Sequence, residues 1–316
     1  MLQQPEAKTS LMEAVRTGLM ATPKRLPSEL FYDAEGSALF EQITELPEYY
    51  PTRTERAILR EHAAEIIQAA GPDLELVELG SGTASKTHLL IQALRAHQGH
   101  GRYTPIDVSK AALEHARTAL AEAFQSLDVR PANASYLDGL ASLPTGGRRR
   151  LVLFLGSTIG NFETVEATQF LISVRNSLAS GDALLIGMDQ AKDPEILVPA
   201  YDDAQGVTAR FNLNVLARLN REWGGTFELD HFRHLALWNQ LESRIEMHLE
   251  CEKRTSVAIG ALGLEITLEK GERIHTENST KYGPGMGEAI LQNAGWTLER
   301  TWMDPKKWFA LHLARA

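Results

Sequence analysis

Short apolar runs alternate with longer amphipathic segments over residues 59–183, and this alternation restricts the possible folds more than any other feature. The run LELVELG (74–80) predicts a buried strand, because Leu and Val predominate and a glycine ends it. SKTHLLIQALRAHQ then carries apolar residues at helical spacing. The same alternation recurs at YTPIDVS and at RLVLFLGS, and GDALLIGMD supplies a further strand. Repeated units of this kind predict an α/β fold whose parallel sheet is covered by helices on both faces.

The pattern changes after Asp189. VTARFNLNVLARLNREW predicts a long helix. In ESRIEMHLE and LGLEITLEKGERI, apolar and polar residues alternate, which predicts antiparallel strands with one solvent-exposed face. GEAILQNAG predicts another helix, and WTLERTWMD and WFALHLARA predict two closing strands. We therefore expect an α/β domain formed by 10–190 and 281–316, interrupted by a smaller α+β domain at 191–280.

Composition limits the partners of the chain. A formal net charge of -9 argues against a nucleic-acid partner, because phosphate binding needs a concentrated basic face. The single Cys251 can form no internal disulfide, and the sequence contains no ligand set typical of a structural zinc site. We expect no metal and a reducing, cytoplasmic location. Since no stretch approaches the length of a membrane span and no long apolar stripe is present, we also expect a monomer without membrane attachment.

The run ELGSGT (78–83) lies where the first of these strands turns into a helix, which is where an open α/β sheet presents its ligand crevice. Gly80 and Gly82 let the backbone approach a ligand closely. The loop lacks the third glycine of the dinucleotide pattern GxGxxG, so a pyrophosphate ligand is disfavoured. An adenosyl ligand without phosphates fits better, and Asp107, in the run PIDVS, could hold its ribose hydroxyls. A structural turn followed by a helix-capping aspartate is the alternative.

Lys86 falls in the first turn of the helix after this loop, where the helix dipole favours an acidic residue. Its position suggests a use as the counter-charge of a ligand carboxylate. A solvent-facing lysine is the alternative, and position alone does not separate the two.

Five runs occur in unbroken order from about Leu26 to the C-terminus: FYDAEGSALFEQITELPEYYPTRTE, VELGSGTASKT, FLGSTIGNF, AYDDAQGVTARFNLNVL and TENSTKY. Together they resemble the histidine Nα-methyltransferases of ergothioneine biosynthesis, which convert histidine to its trimethylated betaine, hercynine. The resemblance implies a Rossmann-like class I methyltransferase sheet with a smaller α+β substrate-binding insertion. It also implies S-adenosylmethionine as the cofactor and L-histidine as the small-molecule substrate.

The resemblance assigns cofactor binding to the glycine loop, to the lysine that follows it and to the acid at the strand end. These correspond to Gly80, Lys86 and Asp107. The family's acidic and aromatic pair that holds adenine corresponds to Ser135 and Tyr136. The aromatic residue is kept and the acid is replaced, so the contact to the adenine amine is expected to pass to a neighbouring asparagine or to water.

The resemblance also assigns a substrate pocket, with anchors for the α-amino acid group, a run that contacts the imidazole, and three further lining residues. In the same order, the matching residues are Tyr49, Asn161 and Tyr201; Glu277, Asn278 and Ser279; and Tyr32, Phe40 and Met247.

The implied reaction moves a methyl group in line from a sulfonium to a neutral amine, so alignment is its main requirement. A free α-amine is largely protonated at pH 7, because its pKa is roughly 8. We expect its proton to pass to solvent or to a nearby acceptor, without a dedicated strong base. Tyr49, Asn161 and Tyr201 are expected to position the substrate, and the rings of Tyr49 and Phe40 to stabilise the growing ammonium.

Glu277 can accept a hydrogen bond from an imidazole N–H, and Ser279 lies two residues further on an extended segment, hence on the same face. A pocket that hydrogen-bonds a polar ring rejects apolar analogues, since its own buried groups would be left unpaired. The residues alone, without the resemblance, favour a pair in an exposed strand. Asn161 after Gly160 is likewise typical of a turn.

Three other functions are open from the sequence. One keeps the fold and cofactor but methylates tryptophan or another amino acid, as relatives of the family do; Met247 and Glu277 favour imidazole, because an indole needs more room and no acid. A non-catalytic S-adenosylmethionine-binding regulator is supported only by the altered adenine pair. A nicotinamide oxidoreductase would require a fuller phosphate loop.

Overall fold

The structure is a computed structural model that describes residues 3–82, 84, 86–144 and 147–316. The α-helices are α1 (Gln3–Met20), α2 (Ala34–Thr44), α3 (Tyr50–Ala70), α4 (His88–Gln98), α5 (Lys110–Ala123), α6 (Tyr136–Ala141), α7 (Thr164–Asn176), α8 (Pro194–Leu197), α9 (Val207–Trp223) and α10 (Met286–Asn293). The strands are β1 (Lys24–Arg25), β2 (Leu74–Leu79), β3 (Gly101–Asp107), β4 (Leu127–Val129), β5 (Ala132–Asn133), β6 (Arg149–Phe154), β7 (Ala183–Asp189), β8 (Phe232–Asn239), β9 (Arg244–Cys251), β10 (Thr255–Ile259), β11 (Leu264–Leu268), β12 (Arg273–Thr280), β13 (Thr297–Met303) and β14 (Phe309–Arg315).

These elements form two compact units. The smaller unit comprises Met1–Tyr50 and Lys192–Ser279, and the larger comprises Pro51–Ala191 and Thr280–Ala316. Among the described residues, no helix combines the length and the apolar character that a bilayer span requires.

The larger unit is built on a mixed sheet with the strand order β13-β14-β7-β6-β2-β3-β4, and β5 also pairs with β3. β2 runs parallel to β3 and β6, and β6 runs parallel to β7. β14 lies antiparallel to both β7 and β13. The α/β fold predicted from the strand and helix alternation is therefore confirmed, as is the Rossmann-like sheet that the family resemblance implies.

Alternate residues of the central strands pack into two separate cores, because successive side chains of a strand point to opposite faces of a sheet. Leu151 and Leu153 of β6 belong to the core that α3, α4 and α5 cover. Val152 and Phe154 belong to the core that α6, α7 and α10 cover. Helices thus cover both faces of the sheet, which accounts for the continuous apolar runs of its strands.

The smaller unit contains a sheet with the order β1-β12-β9-β8 and a separate β10-β11 hairpin. β8 and β9 pair antiparallel from Phe232 opposite Cys251 to Asn239 opposite Arg244. Helix α9 contacts β8 and α2 and ends at Gly224, whose left-handed φ of 66° closes the last turn. The predicted long helix and antiparallel strands are confirmed.

The first fifty residues differ from the expected domain organisation. The prediction places 10–50 with the methyltransferase sheet, whereas the structure packs them into the smaller unit. β1 pairs in parallel with β12, and α2 packs on α9. A two-residue strand carries no periodicity signal, so the sequence pattern could not indicate this pairing.

Candidate active site

The glycine loop of the larger unit has the backbone conformation expected of a ligand cradle. Gly80 and Gly82 adopt φ angles of 72° and 47°, in the left-handed region that favours glycine. A Cβ atom on Gly80 would lie 2.9 Å from the hydroxyl of Tyr136. The ring of Tyr136 is held edge-on against Phe154 at a centroid distance of 5.7 Å. Both the backbone and this contact therefore require glycine at position 80.

Asp107 lies beside the loop, as predicted. Its Oδ2 accepts a hydrogen bond from the Gly82 N–H at 3.1 Å, and its Oδ1 accepts one from the Ser109 N–H at 2.8 Å. A carboxylate offers about four lone-pair sites, so two remain for ribose hydroxyls. Asp107 is not the helix-capping aspartate of the alternative interpretation, because Ser109 caps α5; Asp107 binds the backbone N–H of that cap.

Ser135 and Tyr136 follow β5, which pairs with β3 next to Asp107. The Ser135 hydroxyl caps α6 and donates to Asp138 Oδ2 at 2.7 Å. The side-chain amide of Asn133 donates to the backbone carbonyl oxygens of Asp107 and Val108, at 3.0 and 2.9 Å. An exposed acid is thus present near the strand end, three residues after the position where the family pattern has one.

Lys86 is not a solvent-facing lysine. Its ammonium forms an ion pair with the fully buried carboxylate of Glu55. Glu55 Oε1 also accepts a hydrogen bond from the Gly156 N–H at 2.9 Å. Glu55 therefore orients Lys86 and joins the glycine-loop helix to the loop after β6. Glu55 is not among the residues predicted from the sequence, although it ends the recognised run EYYPTRTE.

A second buried acid supports the same loop. The Glu78 carboxylate, at the end of β2, accepts a hydrogen bond from the Thr87 hydroxyl at 2.7 Å and one from the Tyr103 hydroxyl. Burial raises the pKa of Glu78 to about 7, and these hydrogen bonds oppose the rise. Glu78 thereby ties both ends of the glycine loop to the sheet.

Asn161 closes a single 3-10 turn, Thr158–Asn161, after β6. The turn begins at Ser157, whose hydroxyl accepts a hydrogen bond from the Asp189 N–H at 2.9 Å. Because β2, β3 and β6 are parallel neighbours, their carboxyl ends meet at one edge of the sheet. The structure thus gathers the glycine loop, Asp107 and Asn161 at the edge where such sheets bind ligands.

The smaller unit contains a pocket with about 300 Å³ of empty space, part of which is open to solvent. It is lined by predicted and unpredicted residues alike. The predicted lining residues are Tyr32, Phe40, Tyr49, Tyr201, Met247 and Glu277, and the unpredicted ones are Ile43, Ala200, Thr208 and Phe211. Six side chains assigned to substrate binding from separate parts of the sequence therefore share one pocket.

Aromatic rings form one wall of this pocket. Phe40 contacts Tyr32 and Tyr49 edge-on, each at a centroid distance of 6.2 Å. Tyr49 makes a similar contact with Tyr201, also at 6.2 Å. Phe211 lies 6.0 Å from Phe40, and its position in a recognised run was the only sequence signal for it. Rings in this arrangement offer π faces that attract a cation.

Glu277 and Ser279 are buried, which excludes the alternative of a pair in an exposed strand. Ser279 Oγ and Tyr201 Oη share a hydrogen bond of 2.7 Å. Asn278 lies between them with its amide oxygen 2.8 Å from His275 Nε2, and strand alternation directs it away from Glu277. The structure thus brings Glu277, Ser279 and Tyr201 together, whereas Asn278 makes a different contact.

Asp203 has a structural role near the pocket. Its carboxylate accepts hydrogen bonds from the backbone N–H groups of Val207 at 3.0 Å and Thr208 at 2.7 Å. Burial alone would raise the pKa of this carboxyl, but the backbone hydrogen bonds outweigh burial and lower it. Asp203 therefore places a negative charge at the N-terminus of α9 and binds the backbone of its first turn.

Within the described part of the chain, one group of side chains has the geometry of a metal site. Glu228, Asp230 and His231 bring their potential ligand atoms within 4.8 Å of one another. Both acids are exposed, and none of the three lines the pocket. Exposed acids often form such groups without binding a metal, so the cluster does not alter the expectation of a metal-free site.

The sheet order, with β14 antiparallel between β7 and β13, and the glycine loop beside a strand-end acid define a class I methyltransferase fold. Residues 11–316 match the family model described as histidine-specific, SAM-dependent methyltransferase, where SAM is S-adenosylmethionine. The chain belongs to this family, whose members are enzymes that use S-adenosylmethionine.

Similar proteins cover most of the chain. The histidine N-alpha-methyltransferase of Mycolicibacterium smegmatis is 47% identical over 99% of this chain and 97% of its own length. Ergothioneine biosynthesis protein 1 of Neurospora crassa is 31% identical over 92% of this chain and 33% of its own length. A 4-dimethylallyltryptophan N-methyltransferase of Penicillium roqueforti is 29% identical over 95% of this chain and 92% of its own length.

Proposed function

We propose that the chain transfers three methyl groups from S-adenosylmethionine to the α-amino nitrogen of L-histidine, which gives hercynine in a step of ergothioneine biosynthesis. The observation that carries the proposal is the pocket that six predicted substrate residues share in the smaller unit. The 47% identity to a histidine N-alpha-methyltransferase supports it, since the tryptophan-derivative relative is only 29% identical.

The imidazole is recognised by Glu277, which accepts a hydrogen bond from a ring N–H, and by the Ser279 hydroxyl. Tyr201 orients that hydroxyl through the 2.7 Å hydrogen bond between them. Because Glu277 is buried, an apolar substrate side chain placed against it would offer its carboxylate no hydrogen bond, which disfavours phenylalanine or leucine. Met247 packs on the ring and limits its size.

The α-amino acid group is held by neutral donors. The rings of Tyr49 and Tyr201 form a T-shaped contact in the pocket, and their hydroxyls can donate to the substrate carboxylate. The family resemblance assigns Asn161, in the larger unit, to the same group. Once the α-ammonium has lost its proton to solvent or a nearby acceptor, the aromatic wall retains the partly methylated amines by cation–π attraction, worth about 0.5–2 kcal/mol.

The cofactor residues fit an adenosyl ligand, because Gly80 lacks the Cβ atom that would close the cradle against Tyr136. S-adenosylmethionine supplies the sulfonium methyl group when bound. Asp107 holds the ribose hydroxyls with its remaining lone pairs, and Lys86, oriented by Glu55, pairs with the methionine carboxylate. Catalysis then rests on alignment and not on proton transfer by a strong base.

The adenine amine is recognised by the pair of Ser135 and Asp138. The Ser135 hydroxyl donates to Asp138 Oδ2 at 2.7 Å, and this carboxylate retains acceptor sites for an amine N–H. The pair replaces the acid that the family pattern has at position 135. Tyr136, packed against Phe154, supplies the aromatic surface for the base.

The chain acts on this small molecule as a cytoplasmic monomer without a nucleic-acid partner. Its net charge of -9 supports the absence of a nucleic-acid partner. Sedimentation at several protein concentrations tests the oligomeric state, and a concentration-dependent dimer would contradict it.

The function is tested by incubating the protein with S-adenosylmethionine and each of the twenty common amino acids, followed by mass spectrometry. We expect three methyl groups on histidine and none on the others. An Asp107→Ala variant, which lacks the ribose acceptor, serves as the inactive control. Methylation of tryptophan in preference to histidine would refute the proposal.

A further inference from the structure

A pair of buried polar side chains, Asn212 of α9 and His234 of β8, lies behind the substrate pocket. The Asn212 side-chain nitrogen is 2.9 Å from His234 Nδ1 and 3.0 Å from the His248 carbonyl oxygen. His234 Nε2 is 2.7 Å from the carbonyl oxygen of Tyr201. Two side chains therefore link α9 and β8 to β9 and to the turn that carries Tyr201.

The chemistry of these partners fixes the proton positions. A backbone carbonyl only accepts, so His234 Nε2 carries a hydrogen and donates it to Tyr201. The Asn212 nitrogen donates to the His248 carbonyl, so the same amino group faces His234 Nδ1, which must accept. Burial lowers the pKa of the His234 imidazole and outweighs the opposing effect of the Asp202 carboxylate, whose Oδ1 lies 4.0 Å from Nε2. His234 is thus a neutral ring with its hydrogen on Nε2.

The hydrogen bond from His234 completes the fixation of the Tyr201 backbone, whose N–H already donates to the Val198 carbonyl at 2.9 Å. Because the peptide groups on both sides of Tyr201 are hydrogen-bonded, the backbone position of Tyr201 is fixed. Its side chain therefore contacts Ser279 and Tyr49 from a defined position. At its other end the pair holds the backbone of His248, next to Met247 on the pocket wall. Neither Asn212 nor His234 lines the pocket.

We propose that Asn212 and His234 are positioning residues that set the affinity for the amino-acid substrate by fixing the backbone of Tyr201 and of the strand that carries Met247. The proposal rests on the proposed function of the pocket. Substituting a residue that acts only through Tyr201 should move the Tyr201 hydroxyl by fractions of an ångström. Such a shift is enough to weaken substrate binding, while the cofactor site in the larger unit is unaffected.

The test compares His234→Phe, which keeps a ring but removes both hydrogen bonds, with His234→Gln, whose amide can still donate to Tyr201. The dissociation constants of L-histidine and of S-adenosylhomocysteine are measured by calorimetry, together with KM and kcat. His234→Phe is expected to raise the histidine dissociation constant and KM at least about tenfold. A roughly tenfold change in a dissociation constant corresponds to the loss of one buried hydrogen bond. The S-adenosylhomocysteine constant should stay within about twofold, kcat should fall less than KM rises, and His234→Gln should recover most of the loss.

His312→Phe is the matched control, because His312 is also buried but lies in the larger unit, bonded through Nδ1 to the Thr301 hydroxyl at 2.9 Å. It should lower stability without raising the histidine constant. A folded His234→Phe variant that binds histidine as the wild type does would overturn the positioning role alone. A wild type that binds no histidine would overturn the proposed function, and the positioning role with it.

A measurement on the wild type keeps the proposal testable if the variants do not fold. The ¹⁵N spectrum of the histidine side chains at pH 7 should show His234 as a neutral ring protonated at Nε2. A ring protonated at Nδ1, or at both nitrogens, would contradict the hydrogen-bond pattern on which the proposal depends.

Discussion

The two compact units place their functional residues by different physical means. In the larger unit, Asp107 ends β3 and Gly80 follows the neighbouring parallel strand β2, so the topology of the sheet brings these cofactor residues to one edge. In the smaller unit, Tyr201 and Glu277 come from distant segments and meet through ring contacts and side-chain hydrogen bonds. The cofactor residues thus depend on backbone topology, and the substrate residues on individual side chains. Substitutions of the cofactor residues Gly80 and Asp107 should therefore weaken cofactor binding, whereas substitutions of the pocket residues Tyr201 and Glu277 should weaken histidine binding.

The largest effect is expected for Glu277→Ala. Loss of a buried charged acceptor should raise the dissociation constant of L-histidine about 100-fold, since such a hydrogen bond contributes about 1.5–3 kcal/mol. Calorimetry should show S-adenosylhomocysteine binding unchanged within about twofold. Glu265→Ala, at an exposed position of β11, is the control and should change neither. Equal loss of both affinities would contradict the separation of the two sites.

The reverse pattern is expected for Asp107→Asn in the larger unit. Removing the negative charge that holds the ribose hydroxyls should weaken S-adenosylhomocysteine binding by about 10- to 30-fold. Asp128→Asn is the matched control, because Asp128 lies in β4 and pairs with Arg102 and Arg130. This variant should bind the cofactor as the wild type does. If histidine binding measured without cofactor fell by the same factor, the two sites would not be independent.

Tyr201→Phe and Ser279→Ala test whether the smaller unit works through coupled side chains. Each should raise the KM for histidine about tenfold, because each removes one side of the 2.7 Å hydrogen bond between the hydroxyls. The double variant should be only slightly worse than either single variant, since groups in one hydrogen-bond network are not additive. Fully multiplicative effects on KM would show that the two hydroxyls act separately.

A smaller effect is expected for Asp138→Ala, which tests the proposed adenine contact. The exposed carboxylate should contribute little, so S-adenosylhomocysteine binding should weaken by about three- to fivefold. The inosine analogue, which lacks the amine, provides the control and should bind the variant as well as it binds the wild type. An equal loss with both nucleosides would assign Asp138 a structural role at the start of α6.

The last effect concerns pH and the stability of the larger unit, and leaves both ligand affinities aside. Because burial raises the pKa of Glu78 to about 7, the folded state binds a proton that the unfolded state releases near its ordinary pKa of about 4.5. The contribution of Glu78 to stability is therefore largest below pH 4.5 and is lost as pH rises through about 7. Glu78→Gln should gain about 2 kcal/mol in the free energy of unfolding relative to the wild type between pH 5 and pH 8, measured by urea denaturation. A pH-independent difference would contradict the raised pKa.

The sequence pattern predicted the sheet of the larger unit well, because the apolar runs of β2, β6 and β7 report strands buried on both faces. Gly80 and Asp107 could be assigned from the same pattern, since they stand at strand ends. Glu55 could not, because a buried acid within an amphipathic helix has no periodicity of its own until its partner Lys86 is brought to it.

Most of the pocket could be named only through the resemblance to a family. Phe211 and Thr208 lie on a helix whose spacing is equally consistent with an ordinary core, so the pattern alone did not indicate which side chains face a ligand. The two-residue strand β1 likewise gave no signal, although its pairing with β12 joins the first fifty residues to the smaller unit.

By itself the sequence determined the α/β class, the glycine loop and the order of the family's motifs, because these depend on local periodicity and on residue types at fixed spacing. Tertiary structure alone decided that Lys86 is paired with Glu55, that Glu277 and Ser279 are buried beside Tyr201, and that His234 holds the Tyr201 backbone. These contacts join residues far apart in the chain. Burial and hydrogen-bond partners are set by the packing of the whole chain, and no local pattern encodes them.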